Sequence, residues 1–212
     1  MTEREHWEAL IAAERDLWRW GYRAVAGIDE VGRGALAGPV AAGAVVLRED
    51  AYIAGLDDSK RLTGAVRRGL VPTIKDHAVA TAVGFASPSE VDRDGIVAAC
   101  HLAMRRAVLA LAVRPDHLVL DATLLPGIDV PQWSLIRGDS QVAAVSAASV
   151  IAKERRDALM RHWALRFPDY GWQTNVGYGT TAHWAGLRQY GPCPLHRRSF
   201  VDHYLTPGDK PA

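Results

Sequence analysis

The chain has 212 residues, 49% hydrophobic and 23% charged, with a formal net charge of +1, the composition of one sizeable globular domain. A balance so near neutrality carries no global signal for nucleic acid or membrane, so an anionic partner must be held by a local patch. Cys100 and Cys193 stand far apart, which argues against a disulfide framework or a zinc ribbon and suits a reducing cytoplasm; no apolar run reaches the roughly 18 residues of a membrane span, and the start MTEREHWEAL lacks the apolar block of a signal peptide.

Trp7, Leu10, Ile11, Leu17 and Trp18 recur at helical spacing, so residues 4–20 read as an amphipathic helix that covers a core, with Gly21 as its stop. Two strand-like runs follow, Ala24–Asp29 and Val40–Leu47. A polar loop, DDSKRL, leads into a helix from about Gly64, and AVATAVGFA (78–86) is a third strand. The stretch from Ser87 carries helix signals, with Ser87 or Ser89 as its cap. HLVLDAT (117–123) reads as a short buried strand and WSLIRGDS (133–140) as another. Residues 142–167 form a long helix whose first half is rich in Ala and Ser, and 180–190 a shorter one. Strands first, then strand and helix in alternation, predict an α/β domain with a mixed sheet covered by helices. Residues 1–23 read as a helical extension, 24–205 as the main domain and 206–212 as a disordered tail.

Asp29, Asp121 and Asp139 each follow an apolar run and precede a turn. Taken singly, each reads as an ordinary turn residue. Together, on neighbouring strand ends, they would repel unless cations intervene. Oxygen-only ligands favour magnesium or manganese over zinc, and paired ions of this kind carry out phosphoryl displacement. Glu30's side chain joins them only if the first strand ends or bulges there, since neighbours on a regular strand point to opposite faces; its backbone carbonyl is the alternative contact.

These residues sit in a larger ordered set: GIDEVGRG (27–34), AGPV (37–40), DSKRL (58–62), LVLDA (118–122), GDS (138–140), VSAASVIAK (145–153), GYGT (177–180) and HRRSF (196–200). In that order they resemble the type 2 ribonuclease H family, ribonuclease HII, of the bacterial kind, over nearly the whole chain. The resemblance implies a ribonuclease H-like mixed β-sheet flanked by helices, with additional N- and C-terminal helical segments. It implies a divalent-metal endonuclease acting on RNA–DNA hybrids and on single ribonucleotides embedded in duplex DNA. The family's acidic quartet maps to Asp29, Glu30, Asp121 and Asp139, expected to hold two magnesium or manganese ions. Its glycine-arginine-glycine segment maps to Gly32, Arg33 and Gly34, and its junction-sensing tyrosine to Tyr178. Two departures stand out: Ala122 where the family often has glycine, and Asn175-Val176 where it often has histidine-lysine.

The remaining roles follow from chemistry. Glycines let the backbone approach a sugar and test for a 2′-hydroxyl, and Arg33 suits a phosphate. Lys60, in its polar loop, and Lys153, on the long helix, are further candidate substrate contacts. Asp157 is expected in a structural ion pair, Ser146 and Ser149 as small packing residues, and His196-Arg197 as a tie for the C-terminal segment. No membrane partner is expected, and the chain is expected to act as a monomer. Two rivals remain: a proofreading-type 3′–5′ exonuclease, which carries Asp-x-Glu rather than adjacent Asp-Glu, and a catalytically silent hybrid-binding module, which would have lost a quartet member.

Overall fold

Short runs of alanine and valine build the sheet, and helices cover both of its faces. The computed structural model describes residues 2–205; the expected tail lies outside them. In chain order the elements are α1 (Glu3–Leu10), α2 (Ala12–Arg19), β1 (Val25–Val31), β2 (Val40–Leu47), α3 (Gly64–His77), β3 (Ala78–Ala86), α4 (Pro88–Asp94), α5 (Ile96–Leu109), β4 (His117–Asp121), β5 (Gln132–Leu135), α6 (Ala143–Ala164), α7 (Trp172–Asn175), α8 (Thr181–Tyr190) and α9 (Arg198–Leu205). The strand order is β3-β2-β1-β4-β5. β1 pairs antiparallel with β2 and parallel with β4; β2–β3 is antiparallel and β4–β5 parallel. This is the mixed α/β architecture expected.

The pleat sorts the core. Val25, Val45, Leu47 and Val119 pack on α6, α3 and the N-terminal helices. Ala26, Ile28, Ala44, Val46, Leu118 and Leu120 pack on α5. α6 lies directly on the sheet because β1 and β2 carry glycine where it crosses: a Cβ at Gly27 would collide with the backbone of Ala144 and Val145, and one at Gly43 with the Ala148 carbonyl.

Three elements differ from the sequence reading. The N-terminal helix breaks at Ile11, so Leu10 and Ile11 are both buried alongside Trp7, Leu17 and Trp18. The helix capped by Ser87 stops at Gly95, whose left-handed φ of 81° separates α4 from α5. The run 133–140 is a strand only to Leu135: Arg137 turns left-handed at φ 61°, and Gly138–Ser140 forms a 3-10 turn. Asp139 therefore sits in a turn leading into α6 rather than at a strand end. Asp29 is not a strand end either, since β1 runs on to Val31.

The N-terminal helices dock through one buried carboxylate. No side chain of its own caps α6; instead the Ala144 N–H donates to Glu14 Oε1 at 2.6 Å. A carboxylate suits a helix N-terminus, yet burial outweighs that bond and pushes the Glu14 carboxyl up to about 7. A carboxyl raised in the fold stabilises it fully below the ordinary value of 4.5, and that contribution is lost as pH rises to about 7. The loss amounts to roughly 3 kcal/mol. Glu14→Gln keeps the acceptor and removes the titration. Urea unfolding of the two proteins should show the variant gaining on wild type between pH 5 and pH 8; parallel pH curves would rule out this linkage.

Candidate active site

β1 and β4 run in the same direction, with Ile28 paired to Leu120, so the next residues, Asp29 and Asp121, stand side by side at the end of that pairing. Both share the face of α6. Asp29 is 3% exposed, and its Oδ2 is buried without a hydrogen-bond partner. Burial, followed by the charges of Glu30, Asp121 and Asp139, raises its carboxyl well above the usual range; the Ser149 hydroxyl works the other way. The Asp121 carboxyl is raised by burial and by Asp139, against the Gly138 N–H, which donates to Asp121 Oδ1 at 2.8 Å. Asp139 is buried, and the Ser146 hydroxyl donates to its carbonyl.

Glu30 continues a regular strand opposite Ala42, so its side chain leaves Asp29's face. β1 shows neither of the features that would have put both on one face: the strand does not end there and its pairing with β2 does not bulge. Glu30 nevertheless lies at the edge that β1 leaves open beyond the end of β4. Burial raises its carboxyl, Arg33 lowers it, and Asp121 raises it again. Arg33 Nη1 stands 3.7 Å from Glu30 Oε1.

Cations are already near the acids. Lys60 Nζ donates to Asp139 Oδ2 at 2.7 Å, and although burial lowers the Lys60 ammonium, Asp139 more than compensates and holds it above its ordinary value. The loop carrying it is braced: Arg67 donates to the carbonyls of Ser59 and Leu62 and to Glu154 Oε1, and Ser59 Oγ lies 2.8 Å from Ser149 Oγ. Ser149 thus links the Lys60 loop to Asp29, and Ser146 holds the Asp139 turn. Both had been expected only to pack. Lys153 is paired with Asp157 at 2.7 Å, the structural pair expected of Asp157, and its ammonium lies 5.5 Å from the centre of the Tyr178 ring.

The loop beyond β1 is held from behind. Arg156 donates to the carbonyls of Ala37, Pro39 and Val176; Arg197 donates to those of Gly32, Arg33 and Gly38. Gly32 has φ 82°, and a Cβ there would strike the Arg156 guanidinium. Gly34 has open space at its Cβ position and Arg33 points outward; these two remain available to a ligand. Sequence reasoning missed Arg156 and gave Arg197 only a tying role. The available signal was a polar stripe, Ser146, Ser149, Lys153 and Arg156, at helical spacing through an alanine-rich segment.

The ribonuclease HII family model matches residues 26–203. The chain belongs to the ribonuclease HII family. It is 50% identical to ribonuclease HII of Moorella thermoacetica over 198 residues, 93% of this chain and 96% of that one. Ribonuclease H2 of Pyrococcus horikoshii superposes with a TM-score of 0.68 at 26% identity, covering 84% and 93% of the two chains. Bst-RNase HIII in complex with Mn2+ shares the fold, with a TM-score of 0.65 at 21% identity over 86% and 68% of the chains. Membership in this ribonuclease H endonuclease family sets aside the proofreading exonuclease. Among the described residues, no helix is long and apolar enough to cross a membrane.

Every left-handed non-glycine residue among those described, Ala122, Arg137 and Val176, flanks a residue of the ribonuclease HII motifs. Ala122 follows Asp121 at φ 51°, which gives a physical reason for glycine at that position in the family. Asn175 and Val176 are buried: Asn175 bonds Tyr170 O and the Gly177 N–H, so these departures shape the turn before Tyr178. Ala122→Gly should relieve left-handed strain and raise stability by about 1 kcal/mol or less, after the entropy cost of glycine. Thermal melting checks this; an unchanged or lower Tm would mean that Ala122 carries no strain.

Proposed function

We propose that this chain hydrolyses the RNA strand of RNA–DNA hybrids and cuts at single ribonucleotides in duplex DNA, leaving 3′-hydroxyl and 5′-phosphate ends. The observation that carries this reading is the buried Asp29 carboxylate, whose Oδ2 has no hydrogen-bond partner, under the charges of Asp121 and Asp139 and followed three residues later by a loop open at Gly34.

Such a cluster calls for cations. Among the described residues no three acidic, histidine or cysteine side chains are already closed around a common point, but the donor set is all oxygen, its charges raise one another, and one buried carboxylate oxygen, Asp29 Oδ2, has no hydrogen-bond partner. That chemistry fits hard divalent ions. Asp29, Glu30, Asp121 and Asp139 would hold two of them, magnesium or manganese. When bound, such ions lower the pKa of an attacking water and offset the charge developing on the leaving oxygen.

The chain's own residues do the rest. The Gly34 backbone admits the sugar edge that carries the 2′-hydroxyl. Arg33 and Lys60, both exposed along their side chains, take flanking phosphates, Lys60 by exchanging Asp139 for the substrate. Tyr178, held by the ammonium of Lys153 and the guanidinium of Arg156, each 5.5 Å from its ring centre, presses on the neighbouring deoxyribose.

A labelled DNA duplex with one ribonucleotide, with divalent metal and with chelator, tests the reaction. Cleavage should require metal and fall on the 5′ side of the ribonucleotide or within a longer RNA stretch; cleavage in chelator would sink the proposal. Asp29→Asn should cost a hundredfold or more in kcat/KM, on the order of 3 kcal/mol. Because the Asp29 carboxyl is raised in the fold, its ionisation removes stability as pH rises through its ordinary value and beyond. The same variant should therefore melt higher than wild type at pH 7 without metal. A folded variant with near-normal turnover would remove Asp29 from the site.

A further inference from the structure

We propose that His183 and His196 act as a neutral imidazole pair that positions Tyr178 and so sets how strongly the enzyme prefers an embedded ribonucleotide to a long hybrid. This rests on the reading of Tyr178 given above.

The hydrogen bonds allow one assignment of protons. The Cys193 N–H donates to His196 Nδ1 at 3.0 Å, so His196 carries its hydrogen on Nε2. That hydrogen points at His183 Nε2, 3.0 Å away, which also accepts from Trp172 Nε1 at 3.1 Å. His183 therefore carries its hydrogen on Nδ1, where it donates to the Tyr178 carbonyl at 3.0 Å. Each ring is a donor at one nitrogen and an acceptor at the other. A second proton on either ring would set an N–H against an N–H.

The surroundings enforce neutrality. Both rings are buried, at 0% and 2% exposure. The Tyr170 ring packs edge-on against both, Trp172 closes one side, and the Cys193 thiol is itself kept protonated by burial. The Arg198 guanidinium acts on His196, and the Asp169 carboxylate acts on Tyr170 rather than on the rings. Among the described residues neither ring has an ion-pair partner. Burial, then His183, lowers His196 to about 4, and burial lowers His183. Among the described residues the Tyr178 carbonyl is otherwise bonded only within its own turn, by the Thr180 N–H. The imidazole pair ties that turn to the segment before α9.

His183→Leu removes the bond to Tyr178 while filling the space; His183→Asn offers an amide donor where Nδ1 stood. Loss of one buried hydrogen bond amounts to roughly a five- to tenfold effect. For His183→Leu, kcat/KM on one embedded ribonucleotide relative to a long hybrid should fall by about that factor, and His183→Asn should restore most of it. In a Tyr178→Ala background, His183→Leu should add no further change in the ratio, because both act through one contact. Imidazole 15N spectra of the wild-type chain should show hydrogen on His183 Nδ1 and on His196 Nε2. If Tyr178→Ala alone lowers both substrates equally, the reading of Tyr178 fails. If Tyr178→Ala shifts the ratio and His183→Leu does not, or His183→Asn behaves as His183→Leu, the present inference fails. Should His183→Leu not fold, the spectra decide: hydrogen on His183 Nε2 overturns the proposal.

Discussion

Two guanidiniums that form no ion pair with a carboxylate among the described residues hold the loop after β1 and the turn before Tyr178 together. Arg156 and Arg197 are both fully buried, while the nearby carboxylate, Asp157, is spent on Lys153, Arg67 and Arg161. A buried charge needs compensation, and here six backbone carbonyls provide it. Those carbonyls belong to the loop after β1 and to the turn before Tyr178. Burial lowers both guanidiniums from their ordinary values, and Arg197, at about 9, stays charged at neutral pH. The arrangement turns an energetic liability into shape: the loop must close around the cations, and any other path strands a charge in the core.

The acids face the opposite problem. Asp29, Glu30 and Asp121 are all raised, first by burial and then by their neighbours. The molecule eases this with Lys60 on Asp139 and Arg33 near Glu30. A net charge of +1 thus hides two strongly polarised zones a few residues apart, one short of positive charge and one rich in it. The boundary between them runs through Gly32 to Gly34, with the buried guanidiniums behind the loop and the carboxylates ahead of it.

Local pattern exposed much of this. Alternation and length placed β2, β3 and β4, and Gly64 opened α3 where expected. Asp121 ended its strand because the apolar run HLVL stops there. The reading failed where one backbone angle overrode pattern. Arg137 turns left-handed and cuts β5 short, and β5 is an edge strand with Trp133 and Ser134 exposed, so its apolar residues gave no burial signal. The sequence did not announce that Arg156 fills the space where a Gly32 side chain would stand. That contact, like the bonds from Arg156 to Ala37 and Pro39, spans more than a hundred residues, and no window of sequence contains both partners. The acids were legible as types; the Ser149 hydroxyl beside Asp29 and the guanidiniums of Arg156 and Arg197 under the loop were not legible as supports, because each acts on a distant segment.

The glycines that let α6 rest on β1 also set a scale. Gly27 touches Ala144 and Val145, Asp29 faces Ser149, and Gly32 lies on Arg156. A strand advances about 3.3 Å per residue and a helix about 1.5 Å, so five strand residues and about eleven helical ones cover the same distance. The two elements run in step like the scales of a vernier, with the acids at one mark and the loop clamp at the next. Removing one residue from α6 between Ser149 and Arg156 would keep every side chain of the motifs and turn the clamp by about 100° about the helix axis. For a chain of this kind, the count of residues between motifs on α6 is as much a part of the site as the motifs themselves.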